Sequence, residues 1–298
     1  MHLNQESPIA NQLKDMVVNR QLSCARCGYD LKLLSAGGNC PECGEPIRLT
    51  IIDTVDPAAR RLLPIERPHV TGNALVCVSV FLFLAVACAV LVLLSKAPQS
   101  LLITNVIQAF NDRIWFWISS AFSGLAFVSL IPIMWMCRCG LIQGCRLGIA
   151  LTGSGLLSFS ILMGASRWVL LGGKDNGVVL TLLFDSILPA VALGVIFIGL
   201  RRLVPRLGQR SREFRLAQGS RQRMNDLLAA LVFVIIGRTL ISISSLDSNL
   251  ATLGMIIMVL SISLIIVGLL YLIRNTLWIR SALCSPPPSL GQLLKPKT

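Results

Sequence analysis

The sequence predicts an all-α membrane bundle of about six transmembrane helices with a small four-cysteine module at its N-terminal end. Three observations carry that prediction. Apolar residues make up 54% of the 298-residue chain, charged residues only 14%, and mean hydropathy is +0.73. The apolar residues fall in blocks of about twenty, the length a helix needs to cross a hydrocarbon core of roughly 30 Å. Two CxxC pairs, Cys24/Cys27 and Cys40/Cys43, stand ahead of the first block. A soluble chain of this size would alternate apolar and polar faces instead.

In chain order, residues 1–19 read as a polar, flexible tail and 20–50 as the cysteine module. Residues 51–72 read as a linker in which Pro57, Pro64 and Pro68 oppose a continuous helix. The first 23 residues hold no apolar run of the kind a cleavable signal peptide needs, so residues 1–72 are expected to stay on the side where they are made. The transmembrane domain is expected over 73–273, in blocks at about 73–95, 114–136, 147–171, 178–200, 226–247 and 251–273. Lipid offers the backbone no hydrogen-bond partner, so each block must be a helix. The stretch 101–110 is too short to span and reads as an interfacial helix. Residues 274–298, with Pro286, Pro287 and Pro288, read as a flexible cytoplasmic tail.

Tryptophan and charge mark the ends of the spans. Trp115 and Trp117 open the second block and Trp135 closes it; Trp168 lies near the end of the third, and Trp278 just past the sixth. Indole favours the membrane interface. With the N-terminus inside, the inner segments collect Arg60, Arg61, Arg67, Arg138, Arg146, eight arginines from Arg201 to Arg223, Arg274, Arg280, Lys295 and Lys297. The outer segments collect only Lys96, Arg113, Arg167 and Lys174. Such a bias predicts a multi-pass protein with both termini in the cytoplasm. The net charge of +13 is thus topogenic, and nucleic acid ranks last among the partners considered.

Cys24-Ala-Arg-Cys27-Gly and Cys40-Pro-Glu-Cys43-Gly are two CxxCG knuckles with twelve residues between them. A CxxC turn points two sulfurs at one ion, and Gly28 and Gly44 supply the positive φ that closes such a turn. Four thiolates complete a closed tetrahedral set, the geometry of structural zinc, with no position left for a reacting water. Disulfides would require an oxidising compartment, against the predicted topology. Iron-binding knuckles of the rubredoxin kind are spaced more widely and pack an aromatic core. Only Tyr29, Leu31, Leu33, Leu34 and Ile47 offer apolar bulk within the module, so metal is expected to be needed for its folding.

CARCGYDLKLL followed by CPECGEPI resembles the N-terminal zinc ribbon that heads a group of bacterial membrane proteins. The likeness covers about residues 22–50. It implies that Cys24, Cys27, Cys40 and Cys43 are the ligands of one structural Zn2+ and that the membrane is the bacterial inner (cytoplasmic) membrane. It implies no activity.

Weaker signals have plainer alternatives. Cys137, Cys139 and Cys145 cluster at one end of the second and third blocks, but a second metal site would lack a fourth ligand, and reduced thiols are the simpler reading. Gly140, Gly144 and Gly148 repeat every four residues and predict close approach of those two helices. Segment 201–225 mixes its arginines with Leu203, Leu207, Phe214 and Leu216. It reads either as an amphipathic segment lying on anionic lipids or as a topogenic loop. Asp185 and Arg238 fall inside blocks, where charge is costly, and are expected to pair with each other, Arg167 being the rival partner for Asp185. Both histidines lie outside the blocks, and neither HExxH nor a phosphate-binding glycine loop is present. Two readings of function follow. The leading one is a non-enzymatic membrane protein whose ribbon is an interaction module for a cytoplasmic protein. The alternative is a small transporter or channel built around Asp185 and Arg238.

Overall fold

The computed structural model describes residues 15–55, 67–95, 112–136, 143–171, 182–217, 223–244, 248–285, 288 and 290–296. They fall in two compact units, one within Met1–Pro64 plus Ser285–Thr298 and the other within Ile65–Cys284.

The larger unit is the helical bundle. Its helices long and apolar enough to span are α2 (Pro68–Ser95), α3 (Asp112–Met136), α4 (Gln143–Leu171), α5 (Leu188–Gly208), α7 (Met224–Ile243) and α8 (Ser248–Cys284). A short α6 (Arg212–Leu216) follows α5, and a π-helical turn (Leu183–Ile187) precedes it. Both sides of these helices are apolar. Along α8 the buried positions Met258, Ile262, Ile265, Leu269, Leu272, Thr276, Ile279 and Leu283 alternate in steps of four and three, the seam of a left-handed helix pairing. The opposite face still shows Leu260, Leu264, Val267 and Leu270 at half exposure or close to it. Water would reject such a face; a hydrocarbon solvent accepts it.

Small and hydroxylated residues set which helices touch. Ser79 on α2 hydrogen-bonds Thr276 on α8 at 2.9 Å, and the Ser119 hydroxyl on α3 donates to the Ala85 carbonyl on α2 at 2.8 Å. Between α3 and α4, Ser120 and Ser160 each donate to the other's carbonyl at 2.9 Å. Farther along, α4 meets α5 through Gly148, Thr152, Gly155 and Gly199, and α7 meets α8 through Gly237 and Gly254. Every one of these pairings is antiparallel. Successive helices are neighbours and α8 returns to α2, closing a ring.

Four sequence expectations are corrected here. Gly148 packs against Gly199 and Leu203 on α5, whereas the sequence spacing had assigned it to the second helix. Gly140 and the side-chain position of Gly144 lie outside the described residues, as do 101–110 and the residues around 174. The fourth span ends later than 178–200: its helix runs through the π turn and on to Gly208, so Arg201, Arg202 and Arg206 belong to the helix, while 178–181 lie outside the described residues. Finally, segment 201–225 does not leave its apolar side to a membrane surface. Leu203, Leu207 and Phe214 are buried in the bundle core, while Leu216 is 72% exposed. Gly208 permits this, since a Cβ there would run into the Phe214 ring. The sixth helix also outruns its block. At 37 residues it is about 55 Å long, well beyond a hydrocarbon core, and its last turns carry Arg274 over the Trp278 ring at 4.7 Å.

The smaller unit holds strand β1 (Met16–Val18), helix α1 (Ile47–Val55), helix α9 (Leu290–Leu293) and strand β2 (Leu294–Pro296). β1 and β2 pair antiparallel with Val17 opposite Lys295. On the other edge of β1, the Ala36 amide donates to the Met16 carbonyl at 2.8 Å and the Leu33 amide to the Val18 carbonyl at 2.8 Å. The C-terminal segment, expected to be flexible, is therefore a structural strand of this unit. The physical reason is core size: Leu293 and Leu294 are buried with Val18, Leu22, Leu31, Ile47, Ile51 and Val55. The module between residues 20 and 50 cannot assemble that much apolar surface alone. Two residues expected to fill the core do not: Tyr29 is 40% and Leu33 72% exposed. The linker expected from residue 51 begins later, because α1 continues to Val55.

Candidate metal centre

Two like turns build the site. In the first, the Gly28 amide donates to the Cys24 carbonyl at 2.9 Å, and the Cys24 amide to the Tyr29 carbonyl at 2.8 Å. In the second, Gly44 donates to Cys40 at 2.9 Å and Cys40 to Glu45 at 2.8 Å. Gly28 and Gly44 sit at φ +79° and +73°, where a side chain would be strained, so these glycines are structural requirements of each turn. Asp30 fixes the first turn by accepting from the amides of Leu22 and Lys32 at 3.3 and 3.1 Å. The Thr50 hydroxyl accepts from the Ala25 amide at 3.3 Å, tying α1 to the first knuckle. Across the site, Arg26 and Glu45 face each other at 3.4 Å.

The four sulfurs of Cys24, Cys27, Cys40 and Cys43 all lie within 4.8 Å of one another. Cys24 approaches Cys43 at 3.7 Å and Cys27 approaches Cys40 at 3.6 Å. A disulfide would bring sulfurs to about 2.0 Å. A tetrahedral ion with bonds near 2.3 Å would separate them by about 3.8 Å. The donor set and its spacing thus fit a four-thiolate metal site, and the sequence-predicted ligands are brought together without exception.

The sulfurs are not equivalent before metal binds. Cys24 is lowered to about 6, because the backbone amides of Cys27 and Arg26 point at its sulfur. For Cys27 the Tyr29 amide acts in the same sense, but burial and the neighbouring sulfurs of Cys43, Cys40 and Cys24 outweigh it and push the thiol up to about 12. Cys43 is also raised: the Glu45 amide lowers it, and burial with the sulfurs of Cys24 and Cys40 prevails. Metal entry would release protons from the raised thiols of Cys27 and Cys43.

Other sequence candidates are placed less completely. Cys145 is 1% exposed in the bundle core; Cys137 and Cys139 lie outside the described residues. Asp185 is in the π-helical turn, with its side chain outside the described residues. Arg238 is partly buried on α7, and its Nε is enclosed without a hydrogen-bond partner among the described residues. Arg201, Arg202, Arg206 and Arg212 are exposed. Sequence reasoning missed Leu293 and Leu294, whose only signal was a short apolar pair after a run of prolines. It also missed Ser186, which carries no motif.

No family model, no curated protein and no solved structure matches this chain.

Proposed function

We propose that this is a multi-pass protein of the bacterial inner membrane whose N-terminal module is a zinc ribbon holding one structural Zn2+, and that the ribbon is an interaction module facing the cytoplasm. The observation that carries the reading is the four-sulfur cluster, closed on itself within a unit that contains both chain ends. A closed thiolate set has no open position for substrate or water, so a structural role suits it better than a catalytic one. Pairing of β1 with β2 requires an even number of crossings between them, in keeping with six helices. The excess of arginine and lysine on the side of the chain ends supports a cytoplasmic location for that side. Exposed Arg201, Arg202, Arg206 and Arg212 lie on the same side and would meet anionic headgroups there.

The test compares the full-length protein with its Cys40→Ser variant in affinity capture from native membranes. A cytoplasmic protein retained by the first and lost by the second supports the module; identical captures refute it. Reporter fusions after residues 72, 142, 212 and 298 should read cytoplasmic, and fusions after 108, 174 and 249 external. A second reading, transport through the bundle, draws on the enclosed Nε of Arg238. Solute flux in vesicles that survives Cys40→Ser but is abolished by Arg238→Leu would favour it.

A further inference from the structure

The four sulfurs and the C-terminal strand share one small core. Cys24 and Cys40 are 4% and 2% exposed and lie in the same buried cluster as Leu293 and Leu294. A backbone route joins them as well. Between the two knuckles the chain runs along β1. There the Leu33 amide donates to the Val18 carbonyl, the Val18 amide to the Leu34 carbonyl and the Ala36 amide to the Met16 carbonyl, at 2.8–3.0 Å. β1 pairs with β2 along its other edge, and the Asn19 amide donates to the Leu293 carbonyl at 2.7 Å. The C-terminal strand is thus held by β1, and β1 by a loop whose two ends, Cys27 and Cys40, belong to the four-sulfur site.

Each link in this series is weak alone. β2 has three residues, and Pro296 has no N–H to give the ladder. A two-stranded pair is marginal in water without a core behind it. In the loop, Leu33 sits at φ +66° with its side chain 72% exposed, a backbone strained for leucine that only the surrounding structure can hold. Once the sulfurs no longer share an ion, the loop loses its two anchors and β1 loses the edge that holds it. The last strand then has no stable partner. Its departure need not disturb α8, which ends at Cys284 and is separated from Leu290 by a stretch containing Pro286, Pro287 and Pro288.

We propose, on the reading that the four sulfurs hold a metal ion, that the C-terminal segment is the output of that centre. The loaded centre clasps Leu290–Pro296 onto β1, and loss of the metal releases it as an extended basic peptide. The released stretch, residues 290–298, carries Lys295 and Lys297 and no acid. Two elements that stabilise one core by binding it raise each other's affinity by the same factor. A protein that captures the segment therefore also loosens the metal.

Full-length protein in detergent would be titrated with an antibody fragment raised against the peptide 290–298, its epitope including Leu293 and Leu294. Zinc content is measured on the same samples. Removing the metal with a chelator should tighten fragment binding about tenfold or more, and adding zinc back should restore the weak binding. In the reciprocal direction, saturating fragment should raise the dissociation constant for zinc by that same factor. Hydrogen exchange should quicken at Val18 and Leu294 on chelation, while the amides of α8 stay protected. Fragment affinity that ignores chelation of metal-loaded protein, or zinc affinity that ignores saturating fragment, would overturn the clasp alone. Protein that takes up no metal would overturn the metal reading and the clasp with it.

Discussion

The two units of this protein reach stability by opposite means. The cysteine unit has four clustered sulfurs, two positive-φ glycines and a core of residues drawn from three separated stretches of chain, Val18–Cys40, Ile47–Val55 and Leu293–Leu294. The bundle has helices that satisfy their own backbones and meet along seams of leucine, isoleucine, serine and glycine. In the first, side chains beyond the metal ligands are few and each is decisive. In the second, burial is spread over dozens of residues, and specificity sits where backbones approach. The difference teaches where each unit is fragile: the cysteine unit at its four sulfurs and its borrowed core, the bundle at its glycines.

The largest separation of the two should come from Cys40→Ser. Metal content of the purified full-length protein should fall from one zinc per chain to none, and the C-terminal segment should become open to protease. Thermal unfolding of the bundle in detergent should not move, since its helices depend on no metal. A cooperative loss of both units would erase the contrast. An iron-thiolate absorption band in the unmodified protein would replace zinc while leaving the contrast intact.

Leu293→Ala tests the borrowed core. Removing a buried leucine costs about 2–5 kcal/mol, and in so small a unit that is a large fraction of the total. Zinc should be lost to a chelator at concentrations the unmodified protein withstands, with the bundle unaffected. An unchanged chelator titration would mean that the tail adds no stability to the ribbon.

Gly199→Ala makes the complementary test in the bundle. A Cβ there would collide with the Thr152 Oγ1 and lie 2.6 Å from the Thr152 amide nitrogen, and backbone cannot step aside. Overpacking of this kind costs about 1–3 kcal/mol. The melting temperature in detergent should fall, and zinc content should stay at one per chain. Gly124→Ala, whose Cβ would meet only the Ser160 hydroxyl at 3.8 Å, is the control that should be neutral.

The smallest effect is the coupling between Asp185 and Arg238. Either charge alone in the bundle would cost roughly 2.5–3.5 kcal/mol on insertion scales. If they pair, Asp185→Asn and Arg238→Leu each destabilise the bundle, and the double variant costs less than the sum by about 0.5–3 kcal/mol. Additive losses would show that they do not touch.

Much of this organisation is written in local patterns. Hydrophobic run length gives the six helices because the bilayer imposes a fixed span and forbids unpaired backbone. The four cysteines Cys24, Cys27, Cys40 and Cys43 are equally legible, since a CxxCG turn is a local device closed by hydrogen bonds between near neighbours in the chain. Individual span ends are less so. Arg201, Arg202 and Arg206 read as loop because of their charge, yet they extend α5, where Leu203 and Leu207 face the core and the arginines do not.

By itself, then, the sequence determined what depends on composition and short spacing: a helical membrane unit, its approximate spans, and a four-sulfur site ahead of it. Tertiary structure alone decided what depends on residues distant in the chain. Leu293 and Leu294 close a core begun at Val18, Gly148 answers Gly199 instead of the second helix, and Ser186 faces a cavity walled by six helices. No periodicity announces these contacts, because a pairing partner is chosen by shape and available surface once the helices stand side by side.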